Sequence, residues 1–488
     1  MNLINALEIE GNITTTENGA FAYQSTLNSN LDFFNNIPSF RKDSSACLDF
    51  FKKAFEEDKL LALKNLFYMR NIRGLGQGER QASKTIYKWL AKNHPDLMSL
   101  NMELIGEFGR MDDYYSLLDT PLEDKAFELL KKQIDNDLIS EHPSLTAKWL
   151  KSCNTSSKSS RRMGRITAKH FGMKEKEYRK MLSALRKKID VTEVKMCNNE
   201  FGNIIYENVP SKAMLNYTNA FQMHDEKRFE AYIGRVSKNE VKINSSTLYP
   251  YEIIEKYDLG CKNDFYEPSI DNQVLECEWD ALPNYVTDSS STLVVADTSG
   301  SMEGRPLNVA LSLAIYFARL NQGAWKNKMI TFSSSPYFID FSRCKTLYDC
   351  LRKIPCINEN TNIQKVFELI LDAAIKNHVP SEEMVKNIII ISDMQFDRFG
   401  DRKNKISFTD YVKEKYERAG YKAPCLIYWN VCENRTPAVH ALNNDNDVKL
   451  ISGFSQSAFD TIIKSQGYDP KTAMIDTLNS ELFAKVRV

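Results

Sequence analysis

Long apolar runs are missing from this chain of 488 residues, and none approaches the ~20 residues that a membrane-spanning helix needs. The N-terminal stretch Met1-Asn-Leu-Ile-Asn-Ala-Leu-Glu-Ile-Glu10 has no basic region followed by an apolar one, so no secretory signal is expected. None of the ten cysteines forms a Cys-x-x-Cys pair, and the six histidines are scattered without metal-ligand spacing. A zinc cluster is therefore not expected, and free thiols in a reducing cytoplasm are. Net charge is absent as well: 64 Lys and Arg balance 64 Asp and Glu. No Ser/His/Asp arrangement can be defended, so the reading is of a protein that is not an enzyme.

What is present is an ordinary soluble composition, 42% hydrophobic and 26% charged, on a chain long enough for more than one domain. The balance of charge hides one basic segment. Between Lys148 and Lys188, 14 Lys or Arg stand against Glu175 and Glu177, a local +12. A field of that size recruits phosphates without base-specific contacts. Its candidate residues are Lys158, Arg161, Arg162, Arg165, Lys169, Arg179, Lys180, Arg186, Lys187 and Lys188. The Ser/Thr-rich stretch 153–160 is expected to be a loop that leaves Arg161, Arg162 and Arg165 mobile enough to follow a nucleic-acid backbone.

Patterning divides the chain into three. Residues 1–45 are polar and Asn-rich. Residues 46–285 carry apolar spacings of three and four, predicting short helices over 46–70, 81–91, 97–108, 125–139, 145–150, 175–188 and 228–237. That is an all-α, helical-repeat-like module. Gly74-Leu-Gly-Gln-Gly follows a helical pattern and lacks the Gly-Lys-Ser/Thr ending of a nucleotide loop, so it reads as a turn. Arg110, Asp112 and Asp113 read as caps and ion pairs rather than an acid–base set.

From 286 to 488 the pattern switches to alternation. Strands are predicted at 291–297, 328–332, 387–392, 424–429 and 448–451, and helices at 306–320, 362–376, 410–419 and 455–465. This predicts a doubly wound, mostly parallel α/β sheet. The first strand ends in Asp297, Ser299 and Ser301, three oxygen donors at alternate positions where open α/β sheets place ligands. Thr361, in a loop before a helix, and Asp393, at the end of the strand 387–392, can open on the same edge. Hard oxygen donors of this kind suit Mg²⁺ or Mn²⁺.

Asp297, Ser299, Ser301, Thr361 and Asp393 together resemble the metal-ion-dependent adhesion site of von Willebrand factor A domains. The resemblance implies that Ser299, Ser301 and Thr361 bind the ion directly, that the aspartates act directly or through water, and that a carboxylate from a protein partner takes the sixth position. The stretches Tyr68-Met-Arg-Asn-Ile-Arg-Gly-Leu-Gly-Gln-Gly-Glu-Arg80, Gly109-Arg-Met-Asp-Asp113, Val209-Pro-Ser-Lys-Ala-Met214 and Ser392-Asp-Met-Gln-Phe-Asp397 are similar to a family that joins a helical module to such a domain. Leu426-Ile-Tyr-Trp-Asn430 and Ile451-Ser-Gly-Phe454 also fit it. The arrangement resembles the Ro family, whose TROVE module is a ring of helical repeats, and implies binding of small structured or misfolded RNA.

Two readings follow. One is a cytoplasmic protein that binds RNA through the basic helices and a partner through a Mg²⁺-dependent site, with no membrane and no DNA-specific motif. The other is a protein-interaction scaffold that uses only the metal site. A hydrolase activating water on the ion would need a general base beside it, and the sequence offers no dedicated one.

Overall fold

The computed structural model describes residues 3–73, 76–286, 291–356, 360–400, 406–433, 435–460 and 469–488. Two compact units emerge, and neither is continuous in sequence. The first joins the chain up to Asn65 with Ser245–Leu482, and the second joins Leu66–Asn244 with Phe483–Val488. These units do not follow breaks at 45 and 285.

The first unit is built on a six-stranded sheet. Two short hairpins precede it: β1 (Ile13–Thr15) with β2 (Phe21–Tyr23), and β3 (Leu259–Lys262) with β4 (Phe265–Pro268). The sheet strands are β5 (Thr292–Asp297), β6 (Lys328–Phe332), β7 (Pro336–Asp340), β8 (Asn387–Ser392), β9 (Cys425–Asn430) and β10 (Val448–Ser452). Their order is β10-β9-β8-β5-β6-β7, parallel throughout except for β7, which runs antiparallel to β6. All of β5 is buried, as a central parallel strand covered on both faces must be. The helix Arg305–Leu320 that follows it buries every residue from Pro306 to Ala318 except Asn308. The doubly wound expectation for this part of the chain is therefore met. The expected helix at 455–465 falls partly on residues outside those described.

Residues 1–45 are not a separate polar segment. They contain the helices Leu3–Gly11 and Ser29–Asn35, and their asparagines serve the core of the first unit. Asn30 and Asn65 are fully buried; Asn30 Nδ2 donates to the Ala54 carbonyl and Asn65 Nδ2 to that of Asn30. Asn430 Nδ2 donates to Asn35 O, Ser452 Oγ to Phe34 O and Ser39 Oγ to Cys432 O. These buried donors satisfy main-chain carbonyls that would otherwise lack partners. Tyr23 pairs with Val439 in an antiparallel bridge.

The second unit is helical, with Gln81–Asn93, Pro95–Leu100, Met102–Phe108, Glu123–Ile139, Thr146–Trp149, Lys158–His170, Glu175–Lys188 and Ser211–Ser237 among its elements. The last of these breaks at Asp225, where the backbone leaves the helical region. Phe67, Tyr87, Phe108 and Phe483 form an aromatic core. Among the described residues no helix is long and apolar enough to cross a membrane.

Two expectations are corrected. Residues 158–160 are helical, not loop: Ser157 caps Lys158–His170 by accepting from Ser160 N, so Arg161, Arg162 and Arg165 stand on a regular helix. The ten cysteines are not all free, because Cys261 and Cys356 form a disulfide. Backbone pairing brings them together: Cys356 N donates to Asp264 O and Tyr266 N to Ile354 O. Cys153, Cys197, Cys344, Cys350 and Cys425 are free thiols.

Candidate metal site and basic face

Asp297 ends β5 and Ser392 ends β8, so the two loops that follow leave the sheet at the same edge. Asp297 is fully buried. Its Oδ1 accepts from Ser299 N at 2.9 Å and its Oδ2 from Ser392 Oγ at 2.5 Å. Ser299 Oγ lies 3.3 Å from Ser301 Oγ, and Ser301 in turn bonds the Asp393 side chain. The third loop reaches this edge through main-chain bonds. Asn362 N donates to Ser333 O just after β6, and Asp397 N donates to Thr361 O. The Thr361 side chain is buried there.

Both aspartates are pushed toward protonation. Burial raises the Asp297 carboxyl and the neighbouring Asp393 charge raises it further; burial also raises Asp393. Two close carboxylates in a low-dielectric pocket disfavour joint ionisation. Arg435 Nη2 approaches Asp393 Oδ2 at 3.4 Å, but Arg435 Nη1 is held by both oxygens of Glu17 at 2.6 Å. Two carboxylates, Asp393 and Glu17, thus share one guanidinium, and among the described residues none pairs with Asp297. A hard divalent cation fits this donor set, since it would relieve the repulsion that the protein leaves uncompensated. Among the described residues no group of three or more His, Cys, Asp or Glu is placed to hold a metal, so hydroxyls must complete any such set.

Several residues at this edge carry no signal in the sequence. The tip of the β1–β2 hairpin is stitched onto the loop after β8: Glu17 N donates to Gln395 Oε1, Thr16 Oγ1 to Phe396 O and Asn18 Nδ2 to Gln395 O. Asn18 Nδ2 also stands 3.5 Å from Thr361 Oγ1. Met394 adopts φ +68°, a left-handed conformation that costs a side-chain-bearing residue roughly 1–3 kcal/mol. His440 Nε2 bonds Met394 O and Ser392 Oγ accepts from Met394 N, which together hold the loop in that conformation. Burial pulls the His440 imidazole down to about 4, so it braces the loop as a neutral ring. Only Ser392, adjacent to Asp393, could have been singled out from spacing.

In the second unit the basic residues sort into two stripes. Lys158, Arg162, Arg165 and Lys169 are exposed at 4-3-4 spacing on one helix, opposite buried Gly164, Thr167 and Ala168. Lys176, Arg179, Lys180 and Lys187 are exposed on the next, opposite buried Tyr178, Leu182 and Leu185. Arg161 is half-buried. Some candidates, including Arg165 of the first stripe, are also engaged within the unit. Arg186 donates to the carbonyls of Ala147 and Leu150 and to Ser152 Oγ, Arg165 pairs with Glu175 at 3.1 Å, and Lys188 bonds Ser140 O.

Residues 16–170 and 146–292 match a family described as Domain of unknown function (DUF2828), and residues 291–484 match one described as Domain of unknown function (DUF7788). An uncharacterised protein of Acanthamoeba polyphaga mimivirus is 28% identical over 514 residues, covering 96% of this chain and 87% of that protein. The crystal structure of the RO (RSR) protein of Deinococcus radiodurans is similar with a TM-score of 0.35 and 13% identity, over 87% of this chain and 92% of that one. A likeness that weak carries no weight for fold or function.

Proposed function

Starting from a chain that belongs to the DUF2828 family, whose function is unknown, we propose a non-enzymatic binding protein with a cation-dependent docking site and a polyanion-binding helical face. The observation that carries the first part is the pair of buried, mutually destabilising carboxylates beside the Ser299–Ser301 hydroxyl pair at the sheet edge. Asp297, Ser299, Ser301, Thr361 and Asp393 would hold Mg²⁺ or Mn²⁺, as in the von Willebrand factor A domains that they resemble. The bound ion would supply an electrophilic position for an acidic side chain of a protein partner. Arg435 lies beside Asp393, already engaged with the carboxylate of Glu17.

Asp297→Asn separates this role from a structural one. The amide keeps an oxygen for Ser299 N and a group for Ser392 Oγ, yet removes the charge facing Asp393. Mg²⁺ at millimolar concentration is expected to raise the melting temperature of the wild type. In the variant the Mg²⁺ Kd should rise at least ~100-fold, while metal-free stability stays equal or increases because the like-charge contact is gone. A wild type indifferent to Mg²⁺ and Mn²⁺ in calorimetry and thermal melts would overturn the metal reading.

The helical stripes support the second part, with RNA as the polyanion. Triple replacement of Arg179, Lys180 and Lys187 by Ala is expected to weaken binding of a small hairpin RNA at least ~10-fold near 50 mM salt. It should also flatten the plot of log affinity against log salt by roughly two to three. Fluorescence anisotropy across a salt series measures both, and an unchanged slope removes these residues from the interface. The internal engagement of Arg186, Arg165 and Lys188 favours the second reading, a scaffold that uses only the metal site; failure of RNA to bind at low salt would select it.

A further inference from the structure

The second unit contains a cation cluster that neither reading uses. Asp113, fully buried, takes Arg70 through Nε and Nη2 at 2.8 and 2.6 Å, with Lys84 Nζ at 3.3 Å and Arg80 Nε at 3.5 Å from its other oxygen. Its neighbour Asp112 pairs through one oxygen with both Arg80 and Lys151. Arg110 Nε lies 3.9 Å from the other oxygen, and its guanidinium stacks on the Trp149 ring at 4.2 Å from the centroid. Five cations therefore surround two carboxylates, an excess of three positive charges. Arg70 is buried beneath, whereas Arg80, Lys84, Arg110 and Lys151 keep 39, 19, 26 and 34% of their side chains exposed.

A network that served only to hold the fold would need no such excess. The cost of the crowding is visible in its members: burial and the charges of neighbouring arginines hold the Arg110 guanidinium below its usual range, and burial with Arg80 does the same to Lys84. At the floor, Asp112 is nearly fully buried and its Oδ1 has no hydrogen-bond donor among the described residues. That leaves an acceptor among four half-buried cations. The position of Lys151 is set by a close approach: a Cβ on Gly164 would stand 2.8 Å from Lys151 O and 2.7 Å from the Ser152 carbonyl carbon.

We propose that Arg80, Lys84, Arg110 and Lys151 form a binding site for a phosphate monoester, with Asp112 Oδ1 accepting from a hydroxyl of the sugar that carries it. A dianion neutralises most of the excess charge, which a backbone diester cannot do, so a terminal phosphate is favoured. The site is independent of the exposed stripes on the helices Lys158–His170 and Glu175–Lys188. Its failure would leave that RNA reading standing, and the reverse also holds.

The test is thermal melting and calorimetry of the full chain with inorganic phosphate at constant ionic strength, against chloride. Phosphate should raise the melting temperature saturably in the wild type and in Lys92→Ala, an exposed control on the helix Gln81–Asn93. Arg110→Ala and Lys151→Met should each weaken the phosphate Kd at least 10-fold, and Lys84→Met serves if either fails to fold. A second arm compares one short oligoribonucleotide with a 5′-phosphate or a 5′-hydroxyl. A 10-fold preference for the phosphorylated form that Lys151→Met abolishes identifies an RNA end as the source. Saturable inorganic phosphate binding without that preference identifies a small phosphate compound. No saturable phosphate effect in the wild type, or one that survives in all folded cluster variants, overturns the proposal.

Discussion

Asp113→Ala is expected to lower the stability of the helical unit by about 3–5 kcal/mol, the scale on which removing one partner leaves a buried charge uncompensated. Arg70 and Asp113 are both essentially inaccessible to solvent. Without the carboxylate, the Arg70 guanidinium has no route to water and faces Arg80 across the vacated space. Asp113 also accepts from the Arg110 main-chain N–H at 3.0 Å, which fixes the start of the short helix Met111–Leu117. The variant therefore loses an ion pair and a cap together. Asp112→Ala should cost less, because the cations it releases can be hydrated. Urea unfolding followed by circular dichroism measures the difference. A loss below ~1 kcal/mol for Asp113→Ala would mean that Arg70 finds another partner.

The second large effect concerns Glu278, on the helix Gln273–Asp280 of the sheet unit. This side chain is fully buried, and among the described residues neither of its carboxylate oxygens has a hydrogen-bond partner. Burial pushes its carboxyl from 4.5 up to about 8. The native state therefore keeps a proton that the unfolded chain has released, and between those values the folded form binds more protons. The stability that this group contributes is then fully present below pH 4.5 and is lost as pH rises toward 8, opposite to the usual carboxylate. At ~1.36 kcal/mol per unit, the contribution lost is about 3–5 kcal/mol. Glu278→Gln should remove this slope and leave the protein more stable than the wild type at pH 9. Denaturation series at pH 5, 7 and 9 provide the check; parallel curves for both proteins would show that Glu278 finds a counter-charge.

Where strands are built from continuous β-branched and apolar runs, the sequence patterns locate them to the residue. β6 and β8 occupy 328–332 and 387–392 as expected, and the helix Glu175–Lys188 has its predicted bounds. β7 gives no such signal because it is an antiparallel edge strand that opens on Pro336 and leaves Tyr337 and Phe338 exposed. The N-terminal asparagines mislead for a different reason. Their amides are polar by composition yet buried by function, bonding carbonyls that pattern analysis cannot see. At the candidate metal site, Asp297, Ser299, Ser301 and Asp393 follow strand ends and Thr361 precedes a helix, so all five are legible from local context. Glu17 and Arg435 are not, because a separation of 418 positions erases any periodicity that could link them. Arg161 is misread because a Ser-rich stretch looks like a loop, although Ser157 there starts a helix.

The interleaving of the two units governs how the protein can be made. Phe34 O and Ser452 Oγ, which bond in the finished sheet unit, are separated by 418 residues. At a ribosomal rate of ~5–20 residues per second, the first arrives roughly 20–80 s before the second. Throughout that interval Phe33, Phe34, Phe40 and Phe51 lack the C-terminal part of the unit that eventually buries them. The helical unit waits too, because Phe483, which stacks on Phe108, is translated 375 positions after it. Neither unit can close until its C-terminal piece has been made. Holding the nascent N-terminus soluble then becomes a task for chaperones, and the yield of folded protein should depend on them more steeply than that of a chain whose domains follow one another in order.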